Sequence, residues 1–191
     1  MRGNSFRFIA SAVLVALCGA CTTLGAVDAS ASLQGDSAYY VIGIAPAQTR
    51  VMIVDGDLVG GRFSRSAASR LMPFSANVMN VPQDGFLLGK VRGGTTLGID
   101  TVFDESGWPA RAFAPCDGGA KTVAFTPAAG TVVYLTSLTL VPSGDGLQPH
   151  YRDDFEGARA FLKAHYPNLV AKIARGTYTL AVANHLCGSL Y

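Results

Sequence analysis

Residues 95–103 read Thr-Thr-Leu-Gly-Ile-Asp-Thr-Val-Phe, and this stretch indicates the fold class. Leu97, Ile99 and Phe103 stand at odd-numbered positions of this stretch. The even-numbered positions up to residue 100 carry small or polar residues, Thr96, Gly98 and Asp100. Side chains of a β-strand point to opposite faces in turn, so a period of two predicts a strand with one buried face.

Similar short runs fill most of the chain and are bounded by Pro, Gly or Asp-Gly. They occupy residues 39–45, 50–55, 74–81, 86–91, 110–114, 121–126, 131–141 and 177–183. Residues 131–141 are apolar on both faces, as in a central strand. Asp55-Gly56-Asp57 and Val59-Gly60-Gly61-Arg62 are interpreted as tight turns. Regular short strands separated by turn signals predict a mainly β fold, an antiparallel sandwich or small barrel, with α+β as the alternative.

One late helix is predicted. Asp153-Asp154-Phe155-Glu156 resembles a capping box, which makes Asp153 the expected N-cap. Acidic residues there also face the positive end of the helix dipole. Pro167 is expected to end the helix, with two further turns within residues 168–175.

Composition narrows the class of protein. The 191 residues are 49% hydrophobic and 15% charged, against about 25% charged in typical soluble chains. This balance excludes a disordered chain, and the net charge of +2 gives no basic footprint for nucleic acid.

The N-terminus has the features of an export signal. Arg2 and Arg7 precede an apolar run that ends near Ala20, too short to span a bilayer as a helix. The run ends in Leu17-Cys18-Gly19-Ala20-Cys21, which resembles the lipobox of bacterial lipoproteins, although Leu17 stands four places before Cys21 rather than three. The resemblance implies cleavage before Cys21 and a lipid anchor with acyl chains such as palmitate on that residue. The alternative is ordinary cleavage after Ala31, which would release a soluble secreted protein, an inhibitor for example.

These signals predict three parts: a signal peptide (1–20), a lipid-attached flexible tether (21–38) and a single β-rich domain (39–191). Loss of Arg2 and Arg7 leaves basic and acidic residues in equal number. Thr22 follows Cys21 where inner-membrane lipoproteins commonly carry Asp, so the expected location is the outer membrane, facing the periplasm. The expected partners are therefore the membrane and an envelope protein, not nucleic acid.

The remaining cysteines suggest a disulfide. Cys18 leaves with the signal peptide and Cys21 carries the lipid, so Cys116 and Cys187 remain as a pair in an oxidising compartment. A bridge closing this loop would stabilise the fold by roughly 4 kcal/mol in the chain-entropy model. The alternative is two buried thiols.

Candidates for chemistry are few. His150, His165 and His185 stand in no metal-ligand or nucleophile motif, although a periplasmic hydrolase using one of them is the alternative function. Acids near His150 are interpreted as turn and cap residues, so no metal or other cofactor is predicted. Arg62, Arg65 and Arg70 lie in an acid-free stretch and are candidates for contact with an anionic membrane surface, with a solvated loop as the alternative.

The globular part is also similar to strand-rich bacterial lipoproteins. The similar features are Phe113-Ala114-Pro115-Cys116, Val132-Val133-Tyr134-Leu135 and Tyr166-Pro167 at the end of an Ala-rich helix. This resemblance implies no particular activity. The sequence predicts a lipid-anchored cell-envelope protein with a binding or assembly role, without a catalytic site.

Overall fold

The computed structural model describes residues 24–71, 76–107, 110–114, 121–144 and 146–183. Strands make up 53% of the structure and helices 13%. The mainly β class with a late helix is therefore confirmed. Cys21, Cys116, Cys187 and His185 lie outside the described residues, so the lipidation and disulfide predictions are not tested here.

The described residues form twelve strands and three short helices. The strands are β1 Ser37–Ala45, β2 Thr49–Val59, β3 Arg62–Arg65, β4 Val78–Asn80, β5 Phe86–Arg92, β6 Leu97–Asp104, β7 Arg111–Phe113, β8 Thr122–Phe125, β9 Val132–Ser143, β10 Gly146–Arg152, β11 Ile173–Arg175 and β12 Thr179–Ala183. The helices are α1 Ala67–Leu71, α2 Phe155–His165 and α3 Pro167–Val170.

The strands form two sheets. The first has the order β10-β9-β1-β5, and β11 joins the side of β9 that also pairs with β10. In the second, β2-β3-β12-β8-β6 closes back onto β2 as a five-stranded barrel, and β4 and β7 extend it. Most pairs are antiparallel, but β1–β9, β9–β11 and β3–β12 are parallel. The fold thus combines the predicted sandwich and barrel.

The main core lies between the two sheets. Alternate residues of β1, among them Tyr40 and Ile42, pack against Val51 and Ile53 of β2. All four are fully buried. They stand at alternate positions of their strands and share one face of each, so burial of apolar area joins the two sheets.

A second core lies on the other face of the first sheet. Tyr39, Val41 and Tyr134 pack there against Phe161 and Leu162 of α2. The sheet is therefore buried on both faces, which explains the apolar runs in β1 and β9.

A third cluster fills the barrel. The Phe63 ring is fully buried among Met52, Val54, Ala124 and Ala181, all on barrel strands. Small residues make room for it: a Cβ on Gly56 or Gly98 would lie 2.5 Å from that ring. A five-stranded barrel is narrow, so one aromatic ring surrounded by Gly and Ala fills much of it.

The helix cap is shifted by one residue from the prediction. Asp154, not Asp153, is the N-cap of α2, and its Oδ1 accepts a hydrogen bond from Gly157 N at 3.2 Å. Asp153 instead forms an exposed ion pair with Arg175, at 2.9 Å. Beyond Pro167 the predicted extra turns reduce to α3, and the chain then enters β11.

The N-terminal segment (residues 24–36), which was expected to be part of a tether, lies against the rest of the chain. Leu24 forms a β-bridge with Met79, and Val27, Ala31 and Leu33 pack on the second core. Tyr39 Oη donates to the Ser32 carbonyl at 3.1 Å. Composition did not reveal this packing, because a few apolar residues are scattered among Ser, Ala and Asp.

Candidate functional site

A polar cleft of about 670 Å³ opens where the two sheets separate beside β5. The ends of β1 and β5 form one wall, and β2 with the residue before β4 forms the other. Six of the residues that line the cleft are polar or charged and could contribute to binding: Asp36, Asp55, Asn77, Lys90, Arg92 and Thr95. They come from separate parts of the sequence and meet only in the folded chain.

Asn77 is held firmly at the floor of this cleft. The buried Tyr40 hydroxyl donates to Asn77 Oδ1 at 2.6 Å, and Asn77 Nδ2 donates to the Lys90 carbonyl at 3.1 Å. This carbonyl points away from β1, so the Asn77 amide covers part of the outer edge of β5. Gly89 lets the tyrosine ring cross β5, because a Cβ there would lie 2.1 Å from Tyr40 Cζ.

Asp55 supplies the negative charge of the cleft. Within the described part of the chain, its carboxylate has no ion-pair or hydrogen-bond partner. Partial burial raises the pKa of Asp55 above its ordinary value, because desolvation disfavours the charged form. Burial, with a smaller contribution from the Asp55 charge, raises the pKa of Tyr40 well above its usual value. The Tyr40 hydroxyl therefore stays protonated as a donor to Asn77.

The rim of the cleft carries both signs of charge. Arg92 Nε lies 2.9 Å from Asp36 Oδ2, with both side chains mostly exposed. A surface pair of this kind is worth roughly 0–1 kcal/mol, so either partner can turn to a ligand at little cost. The Lys90 ammonium lies 5.8 Å from the centre of the Tyr39 ring. The cleft can therefore bind a polar ligand with a cationic group at Asp55 and an acidic group near Arg92.

His165 lies elsewhere and is fully engaged by its neighbours. One ring nitrogen, Nε2, lies 2.6 Å from Asp84 Oδ2, and the other, Nδ1, lies 3.1 Å from Gln83 Nε2. Asp84 has a φ of 48° in a tight turn before β5, so the turn geometry presents its carboxylate to the end of α2. Both ring nitrogens therefore have a hydrogen-bond partner in the folded chain.

The other histidine within the described residues is His150, exposed on β10 opposite Thr139. In this part of the chain, neither histidine is hydrogen-bonded to a serine, threonine or cysteine, as nucleophilic catalysis requires. Nor do three His, Cys, Asp or Glu side chains converge there as metal ligands. None of the described helices is long and apolar enough to span a bilayer.

The three arginines predicted as a surface patch have different environments. Arg65 points into the barrel and forms a bidentate ion pair with the buried Asp100. Arg62, at the start of β3, and Arg70, in α1, are exposed. The acid-free stretch thus holds two outward arginines, whereas the guanidinium of Arg65 is engaged within the fold.

The sequence does not predict the cleft, because Asp55-Gly56-Asp57 is typical of a turn, and this turn prediction is wrong. These residues continue β2, and the hairpin turn follows at Gly60 and Gly61, whose φ values are 58° and 76°. The sequence feature that could have indicated the cleft is Asp55 itself, a carboxylate that directly follows four buried residues of the strand.

Comparison with known proteins finds no relative of this chain. No family model, curated protein or solved structure matches the chain.

Proposed function

We propose that this chain is a cell-envelope protein that is lipid-anchored at Cys21 and binds a small polar ligand in the cleft beside β5. The expected membrane is the outer one, with the protein facing the periplasm. The observation that carries the anchoring proposal is the packing of Leu24, the first residue that the structure describes. Leu24, which bridges to Met79, stands three residues after Cys21.

This position favours cleavage before Cys21 over cleavage after Ala31. Cleavage after Ala31 would remove Leu24, Val27 and Ala31, which pack on the folded chain. It would also remove Ser30, whose carbonyl accepts a hydrogen bond from Asn168 Nδ2 at 3.2 Å. A mature chain that begins at Cys21 keeps all of these contacts.

The ligand proposal rests on Asp55. A partly desolvated carboxylate without a partner in the described chain is stabilised when a ligand supplies a cationic or N–H donor. The fixed Asn77 amide and the exposed Arg92 allow further polar contacts. We therefore infer a ligand that carries an ammonium or similar donor together with an acidic or hydroxyl group. A binding role agrees with the engaged nitrogens of His165.

Intact-mass measurement tests the anchor. Protein extracted from membranes is expected to begin at residue 21 and to carry a diacylglyceryl addition there. Cys21→Ser should accumulate as an uncleaved precursor. A mature N-terminus at Ser32 without lipid would refute the anchor.

Ligand binding is tested on unlipidated protein by nuclear magnetic resonance titration with amino acids, amino sugars and polyamines. Shifts are expected at Asn77 and Thr95, and Asp55→Asn should abolish them. Asp57→Asn is the matched control, because Asp57 lies on the same strand but does not line the cleft. Equal loss in both variants would contradict a role for the cleft.

A further inference from the structure

We infer that the surface around Leu24, Ala26 and Asn80, here called the anchor face, is the side of the protein that contacts the lipid headgroups. This inference rests on the proposed lipidation at Cys21 and adds an orientation that lipidation alone does not imply. A lipid on a long flexible tether would let the protein turn freely. The docked N-terminal segment removes that freedom.

The docking of this segment is specified by its contacts. Met79 N donates to the Leu24 carbonyl at 3.1 Å, next to β4. Gly25 has a φ of 79°, and a Cβ there would lie 2.1 Å from the Asn77 carbonyl oxygen. The backbone therefore approaches β4 more closely than any other residue type would allow. Packing of Val27 on the second core extends the attachment.

The remaining leash is short. Three residues from Cys21 to Leu24 span at most about 11 Å when fully extended. By contrast, a flexible tether of the length first expected would reach roughly 20–25 Å on average. A folded chain of this size is about 40 Å across. An 11 Å linker at one edge of the folded domain therefore keeps the opposite side of the domain away from the bilayer. Even without the Leu24 bridge, the six residues to Val27 reach only about 20 Å.

The composition of the anchor face fits this contact. Residues 24–27 and 76–83, which form it, contain no Asp, Glu, Lys or Arg. Leu24 is a large hydrophobic side chain left 38% exposed. A surface without charged side chains loses little solvation against headgroups, whereas buried charges would be costly.

The opposite edge provides the reference position. In the first sheet, β10 is separated from β5 by β9 and β1. Three strand spacings place the two edges about 14 Å apart. Gln148 on β10 is exposed and belongs to the edge away from β5. Asn80 lies on β4 near the β5 edge, because Asn77 just before β4 donates to the Lys90 carbonyl of β5. A probe at Gln148 should therefore stay in water when a probe at Asn80 meets the membrane.

Fluorescence quenching tests this orientation on the full lipidated protein. An alkyne-bearing amino acid replaces Asn80 or Gln148 and is coupled to a dye, so no cysteine is added. The protein is reconstituted into phosphatidylethanolamine and phosphatidylglycerol vesicles that contain lipids with nitroxide headgroups. Dye at position 80 should be quenched several-fold more strongly than dye at position 148.

Two variants separate orientation from anchoring. Insertion of a Gly/Ser linker of about 17 residues before Leu24 adds roughly 20–25 Å of reach and should make quenching at the two positions similar. Gly25→Ala, which is expected to break the Leu24–Met79 bridge, should reduce the difference in the same direction. Equal quenching without the linker, in protein whose mass shows the acyl group, would overturn the orientation and leave the anchor intact. Absence of the acyl group would overturn both.

Discussion

The ion pair inside the barrel allows a sharp test of the structure. Arg65 Nε donates to Asp100 Oδ1 at 2.5 Å, and a second guanidinium nitrogen donates to Oδ2. Thr101 Oγ1 also donates to Oδ2, at 2.7 Å. The Asp100 side chain is 0% exposed, whereas that of Arg65 is 22% exposed. The two partners therefore differ in what remains when the other is removed.

This asymmetry fixes the order of the expected effects. Arg65→Met removes the bidentate guanidinium partner of the buried carboxylate, and breaking a buried pair in this way costs about 3–5 kcal/mol. Asp100→Asn keeps the shape and one acceptor, and it leaves a guanidinium that is partly open to solvent. Its expected cost is about 2 kcal/mol, close to that of a single hydrogen bond to a charged group.

Urea unfolding followed by circular dichroism measures both costs. The slope m should stay unchanged if each variant only loses stability. For a chain of this length each kcal/mol lowers Tm by about 2–4 °C, so Arg65→Met should melt roughly 10 °C lower. Arg159→Met is the matched control, because Arg159 pairs with Glu156 on the exposed face of α2. Its expected cost is below about 0.5 kcal/mol.

The double variant completes the cycle. With Arg65→Met and Asp100→Asn together, both charges of the pair are gone, so the combined cost should fall below the sum of the single costs. A cost for Arg65→Met no larger than that of Arg159→Met would refute the argument, because the pair would then behave like a solvated one. Additive single costs would also refute it.

Three further outcomes follow from other contacts. Asp154→Ala should cost about 1 kcal/mol in urea unfolding through loss of the α2 cap, whereas Asp153→Ala should cost less, and the reverse order would contradict the cap assignment. Gly89→Ala should destabilise the fold by about 1–3 kcal/mol, because the added Cβ meets the Tyr40 ring. Gly107→Ala, with open space around it, should be neutral. Equal urea midpoints for the two variants would show that the ring can move aside. Because the pKa of Asp55 is raised in the folded state, stability is lost as pH rises through that pKa. The free energy of unfolding of Asp55→Asn should therefore rise relative to that of the wild type between pH 3 and pH 7. A difference in unfolding free energy that stays constant over this range would contradict the raised pKa.

The sequence predicted the strands that are alternating or continuous apolar runs and missed those that are neither. β1, β5, β6, β8 and β9 lie within a residue or two of the predicted runs. β3 has only four residues after a Gly-Gly turn, and β10 contains Gly146 and Pro149. Pro149 is tolerated because β10 is an edge strand, where a missing N–H leaves no ladder partner unpaired. β11 has three residues and is held by its pairing with β9.

The cleft could not be predicted from local sequence patterns, because its residues are far apart in the sequence. Asp55, Asn77 and Arg92 become neighbours only because β5 pairs with β1 and β4 pairs with β2. No pattern within a window of ten residues predicts such a long-range contact. The N-terminal segment is a similar case, since its contacts with Met79 and α3 join residues far apart in sequence.

The stretch that predicted the fold class also shows the limit of a two-residue period. Alternation in residues 95–103 implied that Gly98 and Asp100 face away from the core, and in an open sheet that face would be solvated. Closure of the barrel buries it instead: Gly98 lies against the Phe63 ring, and Asp100 is 0% exposed. A polar position in the pattern is thus equally consistent with water or with a barrel interior. What distinguishes the two is the need of a buried carboxylate for a partner, and Arg65 on β3 supplies it. Barrel closure and the Arg65–Asp100 pair therefore depend on each other, and loss of the pair should loosen β3 before the sheet that packs on α2.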